Sequence, residues 1–409
     1  MRTIISLLLL SACAFAQSAD IVVSPKAKQI EDSAIVVDTH ADTPGRFVDE
    51  NFDPATDAGT HHWDFAKARQ ANLGAEFFSI WVDPDKYKGH YVDRAQDMID
   101  SVYEAAKNHP DQMMMARSVA DIEQARCVGR FAKAACKKKV AALMGLEGGH
   151  AIDNDIRILR NYYRLGVRYM TLSWSNTNEF ADSSGDVNNP KVEHHNGLTD
   201  FGKQIVQEMN RMGMIVDISH TADKTFYDAI EISKAPVIAS HSSARALANH
   251  PRNMTDDMLK ALAKNGGVAQ VNFNCGFVDE KYRVAEQEWN DKQKQQQGAA
   301  NANYDYAAKP TGQGPPAIPR PPFKSLIDQF DHMIKVAGID HVGIGSDFDG
   351  VECLPEGINS VADLPKITQA LLDRGYTAAD MKKVLGGNMM RVFAQVETVS
   401  REMSSQPAK

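Results

Sequence analysis

The amino-acid sequence predicts an α/β protein folded as a closed (β/α)8 barrel, also called a TIM barrel. Eight short apolar runs recur along the chain, and amphipathic stretches that suit helices separate most of them. Apolar runs without polar alternation indicate strands that are buried on both faces, as in a parallel sheet covered by helices. Eight such units are the number that closes a barrel, and the chain shows no internal sequence repeat.

The eight predicted strands are short, and several end in a histidine or an acidic residue. They span residues 34–40, 74–82, 140–149, 167–175, 214–220, 236–242, 267–273 and 341–348. A helix is predicted after the sixth strand, because Asp256 and Asp257 favour a helix start and Gly266 favours its end. The strand ends are therefore the candidate positions for catalytic or metal-binding residues.

One segment departs from this alternation. Residues 279–322 form a charged helical stretch followed by polar and proline-rich sequence, inserted between strands seven and eight. The segment is too polar to build a core of its own, so residues 20–409 are predicted to form one domain. Two interpretations of the insertion stay open. Either the insertion is exposed to solvent throughout, or part of it covers the mouth of the active site, since loops at that barrel face carry function.

The N-terminus predicts export from the cytoplasm. Residues 1–19 contain an apolar core at 4–10 followed by small residues, which indicates a secretory signal peptide too short to span a bilayer. Processing has two candidate sites. Cleavage after the AFA sequence at 14–16 gives a soluble periplasmic or secreted protein, whereas a lipobox ending at Cys13 gives a lipoprotein whose membrane contact runs through that cysteine.

Charge and cysteine content narrow the function classes. The chain of 409 residues has a formal net charge of −8, which argues against nucleic-acid binding. In an oxidising compartment, Cys127 and Cys136 are expected to form a local disulfide around the basic stretch CVGRFAKAAC. For Cys275 and Cys353 the sequence leaves open two buried thiols or a second pair. The sequence also leaves a homodimer open.

Six ionisable residues lie at the C-terminal ends of predicted strands, the face where barrel enzymes hold their active sites. They are His40, Asp42, Glu147, His220, His241 and Asp347. Burying three histidines and three acids together is costly unless a cation compensates. Imidazole and carboxylate are ordinary zinc ligands. One ion takes four of these groups, whereas two ions that share a carboxylate take five and leave one acid free, so a dinuclear site is favoured.

Six motifs in this part of the sequence resemble the membrane (renal) dipeptidases of peptidase family M19, which are zinc-dependent barrels of the amidohydrolase type. The motifs are DTHAD, GLEGGH, NRMGMIVDISH, ASHSSARAL, HPRNMTDD and GIGSDFDG, in that order between about residues 30 and 395. The resemblance implies two Zn²⁺ ions per chain. His40 and Asp42 would bind one ion, His220 and His241 the other, and Glu147 would bridge them.

The resemblance also implies how a substrate is handled. Arg252 would hold the C-terminal carboxylate of a free dipeptide, and Asp347 would be the acid near the scissile bond. Two zinc ions lower the pKa of a bridging water to about 7, so a hydroxide would be the nucleophile. Asp347 would pass its proton to the leaving amine. The expected activity is hydrolysis of dipeptides, including those with a C-terminal D-residue.

One departure from the family pattern stands at Trp174, where the family's motif carries a histidine thought to stabilise the tetrahedral intermediate. Indole has no titratable proton in the working range, so we expect Trp174 to form a wall of the substrate pocket. His150, His194 and His195 are candidates to compensate. The departure keeps two alternatives open: another amidase or lactonase on the same scaffold, and a non-hydrolytic accessory or maturation protein that has kept the metal site.

Overall fold

Eight parallel strands close into a barrel in the computed structural model of the protein, which describes residues 21–56, 59, 61–297 and 318–405. The predicted signal peptide, which includes Cys13, and residues 298–317 of the insertion lie outside the described residues. The strands are β1 (Val36–Ala41), β2 (Leu73–Trp81), β3 (Met113–Met115), β4 (Val140–Glu147), β5 (Val167–Thr171), β6 (Ile215–Asp217), β7 (Ile238–Ala239), β8 (Val268–Val271) and β9 (Val342–Ile344).

The barrel closes through eight of these nine strands. Going round it, the order is β1, β2, β4, β5, β6, β7, β8 and β9, and β9 pairs with β1 at Ile344 and Asp38. The predicted fold class is therefore confirmed. The ninth strand, β3, was not predicted; it pairs with the first three residues of β4 while β2 occupies the other side of β4.

Helices surround the barrel. They are α1 (Pro25–Ser33), α2 (Thr43–Asp49), α3 (Phe65–Gln70), α4 (Tyr91–Asn108), α5 (Val119–Ala125), α6 (Ile156–Leu165), α7 (Asp200–Met212), α8 (Asp223–Ile232), α9 (Asp256–Asn265), α10 (Cys275–Val278), α11 (Glu280–Gln297), α12 (Phe323–Ala337), α13 (Leu364–Asp373), α14 (Ala378–Lys382) and α15 (Asn388–Ser405). The predicted start and end of α9 are confirmed: the Thr255 side chain accepts a hydrogen bond from the Met258 amide, and Gly266 ends the helix in a left-handed conformation.

The interior of the barrel is filled by side chains that also orient the site above them. Val37, Phe77, Leu143 and Tyr169 belong to one buried cluster. The ring of Tyr169 occupies the space beside Gly145, where a Cβ would come within 1.9 Å of the ring. Glycine at this position therefore lets the tyrosine reach across the barrel, where its hydroxyl lies 2.7 Å from His40 Nδ1.

Two disulfides tie loops at opposite ends of the barrel. Cys127 and Cys136 are bonded, as the sequence predicts, across a loop between α5 and β4. Cys275 and Cys353 are bonded as well, which decides between the two alternatives left open by the sequence. This second bond links α10 to the loop after β9, so it braces two loops on the side where the ionisable residues gather.

Among the described residues, no helix has both the length and the apolar character needed to cross a bilayer.

Candidate active site

The six ionisable residues converge at the C-terminal mouth of the barrel. His40 lies in β1 and Glu147 is the last residue of β4, whereas His241 follows β7 by two residues. His220 and Asp347 each lie three residues beyond a strand, and both have a left-handed backbone with φ of 65°. Such a conformation is uncommon for residues other than glycine and clusters at functional sites.

The carboxylate of Glu147 is the centre of the arrangement. Its Oε1 lies 2.9 Å from Nε2 of His220 and 3.5 Å from Nε2 of His241, and its Oε2 lies 3.3 Å from Nε2 of His40. Ser79 donates a hydrogen bond of 2.9 Å to Oε2. One carboxylate thus faces histidines on two sides, which is the arrangement expected of a bridging ligand.

The other ring nitrogen of each histidine faces a hydroxyl. His40 Nδ1 lies 2.7 Å from the Tyr169 hydroxyl and His241 Nδ1 lies 2.8 Å from the Ser240 hydroxyl. Ser175 Oγ lies 3.4 Å from His220 Nδ1. These contacts fix the ring orientations and leave the three Nε2 atoms pointing at the centre of the site, as partners behind metal-binding histidines commonly do.

A second group of possible ligand atoms shares His40 with the group around Glu147. His40, Asp42 and Asp347 offer atoms that all lie within 4.8 Å of one another. Gly350 is required beside them, because a Cβ there would lie 2.0 Å from Asp42 Oδ2 and 2.5 Å from Asp347 Oδ1. Asn272 at the end of β8 donates a hydrogen bond of 2.8 Å to Asp347 Oδ2, which holds that acid at the edge of the group.

Burial and neighbouring charges together set the protonation of this site. Burial lowers the pKa of His220 to about 3 and that of His241 well below its ordinary value, so both imidazoles are neutral, the form that binds metals. Burial opposes ionisation of Glu147, but the neighbouring imidazoles outweigh it and hold its pKa well below the usual range. Burial raises the pKa of Asp347 to about 7, although nearby His40 opposes the shift.

The donor set fits divalent zinc. His40 Nε2 is buried and has no hydrogen-bond partner, although it points at two carboxylates. His220 Nε2 and His241 Nε2 lie 2.9 Å apart, so one ring can donate to the other, and both also face the same oxygen of Glu147 at 2.9 and 3.5 Å. A cation coordinated by these nitrogens and by Glu147 explains why they converge.

Arg252 lies beside the histidines, and no carboxylate of the described residues forms an ion pair with it. Its guanidinium is buried, and its Nη2 and Nη1 donate to the His241 carbonyl at 3.3 Å and to Ser242 Oγ at 3.5 Å. It also lies 5.4 Å from the centre of the Phe277 ring. Burial lowers its pKa to about 10, so the group stays charged at neutral pH. A carboxylate that entered the site would find this cation unpaired.

A cavity of about 710 Å³ opens over these residues, within the size range of small-molecule sites. Trp174 lines it and packs against Trp81, with ring centres 5.1 Å apart. Gln287 and Asn290 of α11 also line it, so part of the insertion does reach the mouth of the active site. The purely solvated interpretation of this helix is therefore wrong.

The three histidines suggested as substitutes at Trp174 do not line the cavity. His150 is buried with Nε2 bonded to the Val82 carbonyl at 2.7 Å, and His195 Nε2 bonds to the Asn178 carbonyl at 2.8 Å. His194 is 3.3 Å from the Asn189 carbonyl. That suggestion is wrong, because backbone carbonyls hold these rings away from the cavity.

Two polar residues beside Arg252 and Asp347 are among those that the sequence did not reveal. His250 lines the cavity, and its Nδ1 accepts a hydrogen bond of 3.0 Å from the Arg252 amide. Asn272, which holds Asp347, is the other. His250 could have been identified from the sequence, because it stands two residues before Arg252 in the same motif. A lone amide at the end of β8 gave no comparable signal for the second.

Comparison with known proteins identifies the family. The family model of the membrane dipeptidases, peptidase family M19, matches residues 24–407. The chain belongs to this family. It is therefore a metal-dependent dipeptidase on a (β/α)8 barrel, and the resemblance of its motifs to the family is confirmed. An uncharacterised dipeptidase of Schizosaccharomyces pombe is 33% identical over 392 residues, covering 92% of this chain and 84% of that relative.

Further relatives of this M19 chain extend the comparison. Dipeptidase aclJ of Aspergillus oryzae is 35% identical over 355 residues, covering 83% of this chain and 71% of its own. Among solved structures, the probable dipeptidase PvdM of Pseudomonas aeruginosa has a TM-score of 0.77 at 25% identity, covering 91% and 98% of the two chains. A Rhodobacter sphaeroides metallopeptidase shares the fold with a TM-score of 0.70 at 23% identity, covering 89% and 99%.

Proposed function

We propose that this M19 chain is a binuclear zinc dipeptidase that hydrolyses free dipeptides, including those with a C-terminal D-residue. The observation that carries the proposal is the position of Glu147, whose two oxygens face His40 on one side and His220 and His241 on the other. A carboxylate placed in this way suits two ions better than one. When bound, zinc would polarise the scissile carbonyl and make water acidic enough to act as a nucleophile.

The residues of the chain then have separate tasks around the scissile bond. Arg252 holds the substrate's terminal carboxylate with a planar fork, which orients the peptide in the cavity. The wall formed by Trp81 and Trp174 excludes water from one side of the cavity. Asp347 accepts a proton from the attacking water and returns it to the leaving nitrogen. A raised pKa near 7 suits an acid that must both take and give a proton.

Amidation of the substrate's C-terminus tests the role of Arg252. We expect amidated L-Ala-L-Ala and L-Ala-D-Ala to lose about one to two decades in kcat/KM, because a charge-assisted hydrogen bond is worth about 1.5–3 kcal/mol. L-Ala-D-Ala is a suitable probe, since the Rhodobacter metallopeptidase was solved with a phosphinate mimic of that dipeptide. Arg252→Ala should abolish the difference between free and amidated substrates.

Arg252→Lys is the matched control, because it keeps the charge and loses the fork. It should keep a preference for the free acid, but a smaller one than the wild type. If Arg252→Ala still prefers the free acid as strongly as the wild type does, another group binds the carboxylate. If the zinc-loaded protein hydrolyses no dipeptide of a test panel, that result supports the alternative of a non-hydrolytic accessory protein.

Replacing Trp174 tests whether it forms a wall. Trp174 is buried, its ring centre lies 6.1 Å from that of His220, and it lines the cavity. We expect Trp174→His to raise KM about tenfold, because a hydrophobic contact of one or two methylene groups is worth about 1–3 kcal/mol, and to leave kcat and metal content nearly unchanged. A rise in kcat at equal stability would instead identify a missing stabiliser of the transition state.

We also propose that the mature protein works outside the cytoplasm, in the periplasm or the medium. The bonds Cys127–Cys136 and Cys275–Cys353 support this location, because disulfides persist mainly in oxidising compartments.

A further inference from the structure

A second cavity, of about 280 Å³, lies at the opposite end of the barrel from the active site, where β2 and β4 begin. Four cationic side chains line it: Arg69, Arg126, Lys138 and Lys139. Its lining includes no acidic residue. In a chain with a formal net charge of −8, a cavity with four cations and no acid is a marked local excess of positive charge.

Arg126 is the buried member of this group. Only 5% of its surface is exposed, and its guanidinium donates to neutral oxygens: the Leu73 carbonyl at 3.1 Å, the Asn72 carbonyl at 3.2 Å, the Lys139 carbonyl at 3.4 Å and the Asn72 side chain. Its Nε is buried without an acceptor. Burial lowers the pKa of Arg126 to about 10, and no carboxylate opposes that shift. A buried cation of this kind is costly unless an anion compensates it.

The other three cations also form no ion pair with any carboxylate that the structure describes. Arg69 Nη1 donates to the Gln112 side-chain oxygen at 2.6 Å, and Lys138 Nζ donates to the Asp32 carbonyl at 3.3 Å. In the part of the chain that the structure describes, none of the four cations has a carboxylate oxygen within 4.0 Å. The Asp111 carboxylate lies 3.5 Å from Gln112 Nε2 and is connected to Arg69 through the Gln112 side chain.

The first disulfide holds this group together. Arg126 directly precedes Cys127, and Lys138 and Lys139 follow Cys136 by two and three residues. The Lys139 amide also donates to the Ala125 carbonyl at 2.8 Å, so both flanks of the loop are fixed against each other. The backbone that carries these three cations is therefore fixed before a ligand binds, which lowers part of the entropic cost of binding.

We propose that this cavity is a binding site for a phosphate-type anion, separate from the dipeptidase centre. Guanidinium and ammonium groups are the usual partners of phosphate oxygens. The volume admits inorganic phosphate or the phosphoryl headgroup of an anionic lipid, and these two sources offer the same chemistry. The lining holds no nucleophile and no carboxylate, so the site binds its ligand and does not transform it.

Two double variants of the full-length zinc-loaded enzyme test the site by calorimetric titration with inorganic phosphate at constant ionic strength. Lys138→Gln/Lys139→Gln removes two charges from the cavity, and the control Lys133→Gln/Lys137→Gln removes two from the same loop outside it. We expect the first to weaken phosphate binding about tenfold or more and the control to change it less than about twofold. Phosphate also binds zinc, so the result is the difference in phosphate affinity between the two double variants, which have the same zinc centre.

Equal phosphate affinity in the two double variants would overturn the proposal. Dipeptide turnover should match the wild type in both, which shows that the fold and the metal centre are intact. Flotation with phosphatidylglycerol vesicles, against phosphatidylcholine vesicles, separates the two sources of the anion. Selective loss of vesicle binding in the cavity variant assigns the site to a lipid headgroup, and loss of free phosphate binding alone assigns it to a soluble anion.

Discussion

Asp347→Asn is expected to lower kcat by about 10²–10⁴ while both metal ions stay bound, because positioned proton transfer contributes about that much. The substitution preserves shape. The amide oxygen that replaces one carboxylate oxygen still accepts the hydrogen bond that Asn272 now donates to Asp347 Oδ2 at 2.8 Å. What disappears is a group that can take a proton from water and give it to the leaving amine.

Elemental analysis of the same Asp347→Asn preparation decides between two roles for this acid. His40, Asp42 and Asp347 offer atoms within 4.8 Å of one another, so Asp347 lies close enough to serve as a ligand. Loss of one ion together with activity would show that it is one. Asn272→Ala is the matched variant, since it removes only the donor that positions Asp347. It should cost about tenfold in kcat, the worth of one hydrogen bond, with metal content unchanged.

The barrel was predictable because burial on both faces makes each strand a continuous apolar run. The same signal is poor at marking where strands end. The predicted run 214–220 contains a strand of only three residues, Ile215–Asp217, and 236–242 contains only Ile238–Ala239. The residues that follow are buried loop, and burial alone does not distinguish loop from strand. The three-residue β3 is too short to show any period.

The convergence of the site residues was predictable for a topological reason. In a parallel barrel the C-terminal ends of all strands share one face, so His40, Glu147 and His241 had to meet there. Backbone geometry was not predictable. His220 and Asp347 reach the site through left-handed conformations, which nothing in their neighbouring residues requires.

Contacts between distant segments were the main gap in the sequence analysis. Cys275 and Cys353 are 78 residues apart, and a disulfide depends on a Cα separation, here 5.4 Å, that the sequence does not encode. His150 illustrates the converse. It lies three residues from Glu147 in the chain, yet its ring bonds to the Val82 carbonyl and leaves the cavity to Trp174.

Glu147→Ala is expected to remove both metal ions and with them all dipeptidase turnover. Its two carboxylate oxygens lie 2.9 Å from His220 Nε2 and 3.3 Å from His40 Nε2, so this one side chain reaches the proposed ligands of both ions. The wild type should gain about 2.7 kcal/mol in unfolding free energy for each bound ion when free zinc is a hundredfold above its Kd. The variant should gain little, and thermal unfolding with and without zinc measures this.

Ser79→Ala is the matched control for Glu147→Ala. It removes the hydrogen bond of 2.9 Å to Glu147 Oε2 and leaves the carboxylate in place. Partners of metal ligands typically contribute about 10–100-fold to metal affinity, so this variant should bind two ions more weakly. If Glu147→Ala keeps one ion per chain, the carboxylate serves a single metal and the bridging role is wrong. If it keeps two, the histidines and Asp42 hold the metals without it, and the proposed binuclear mechanism loses its central ligand.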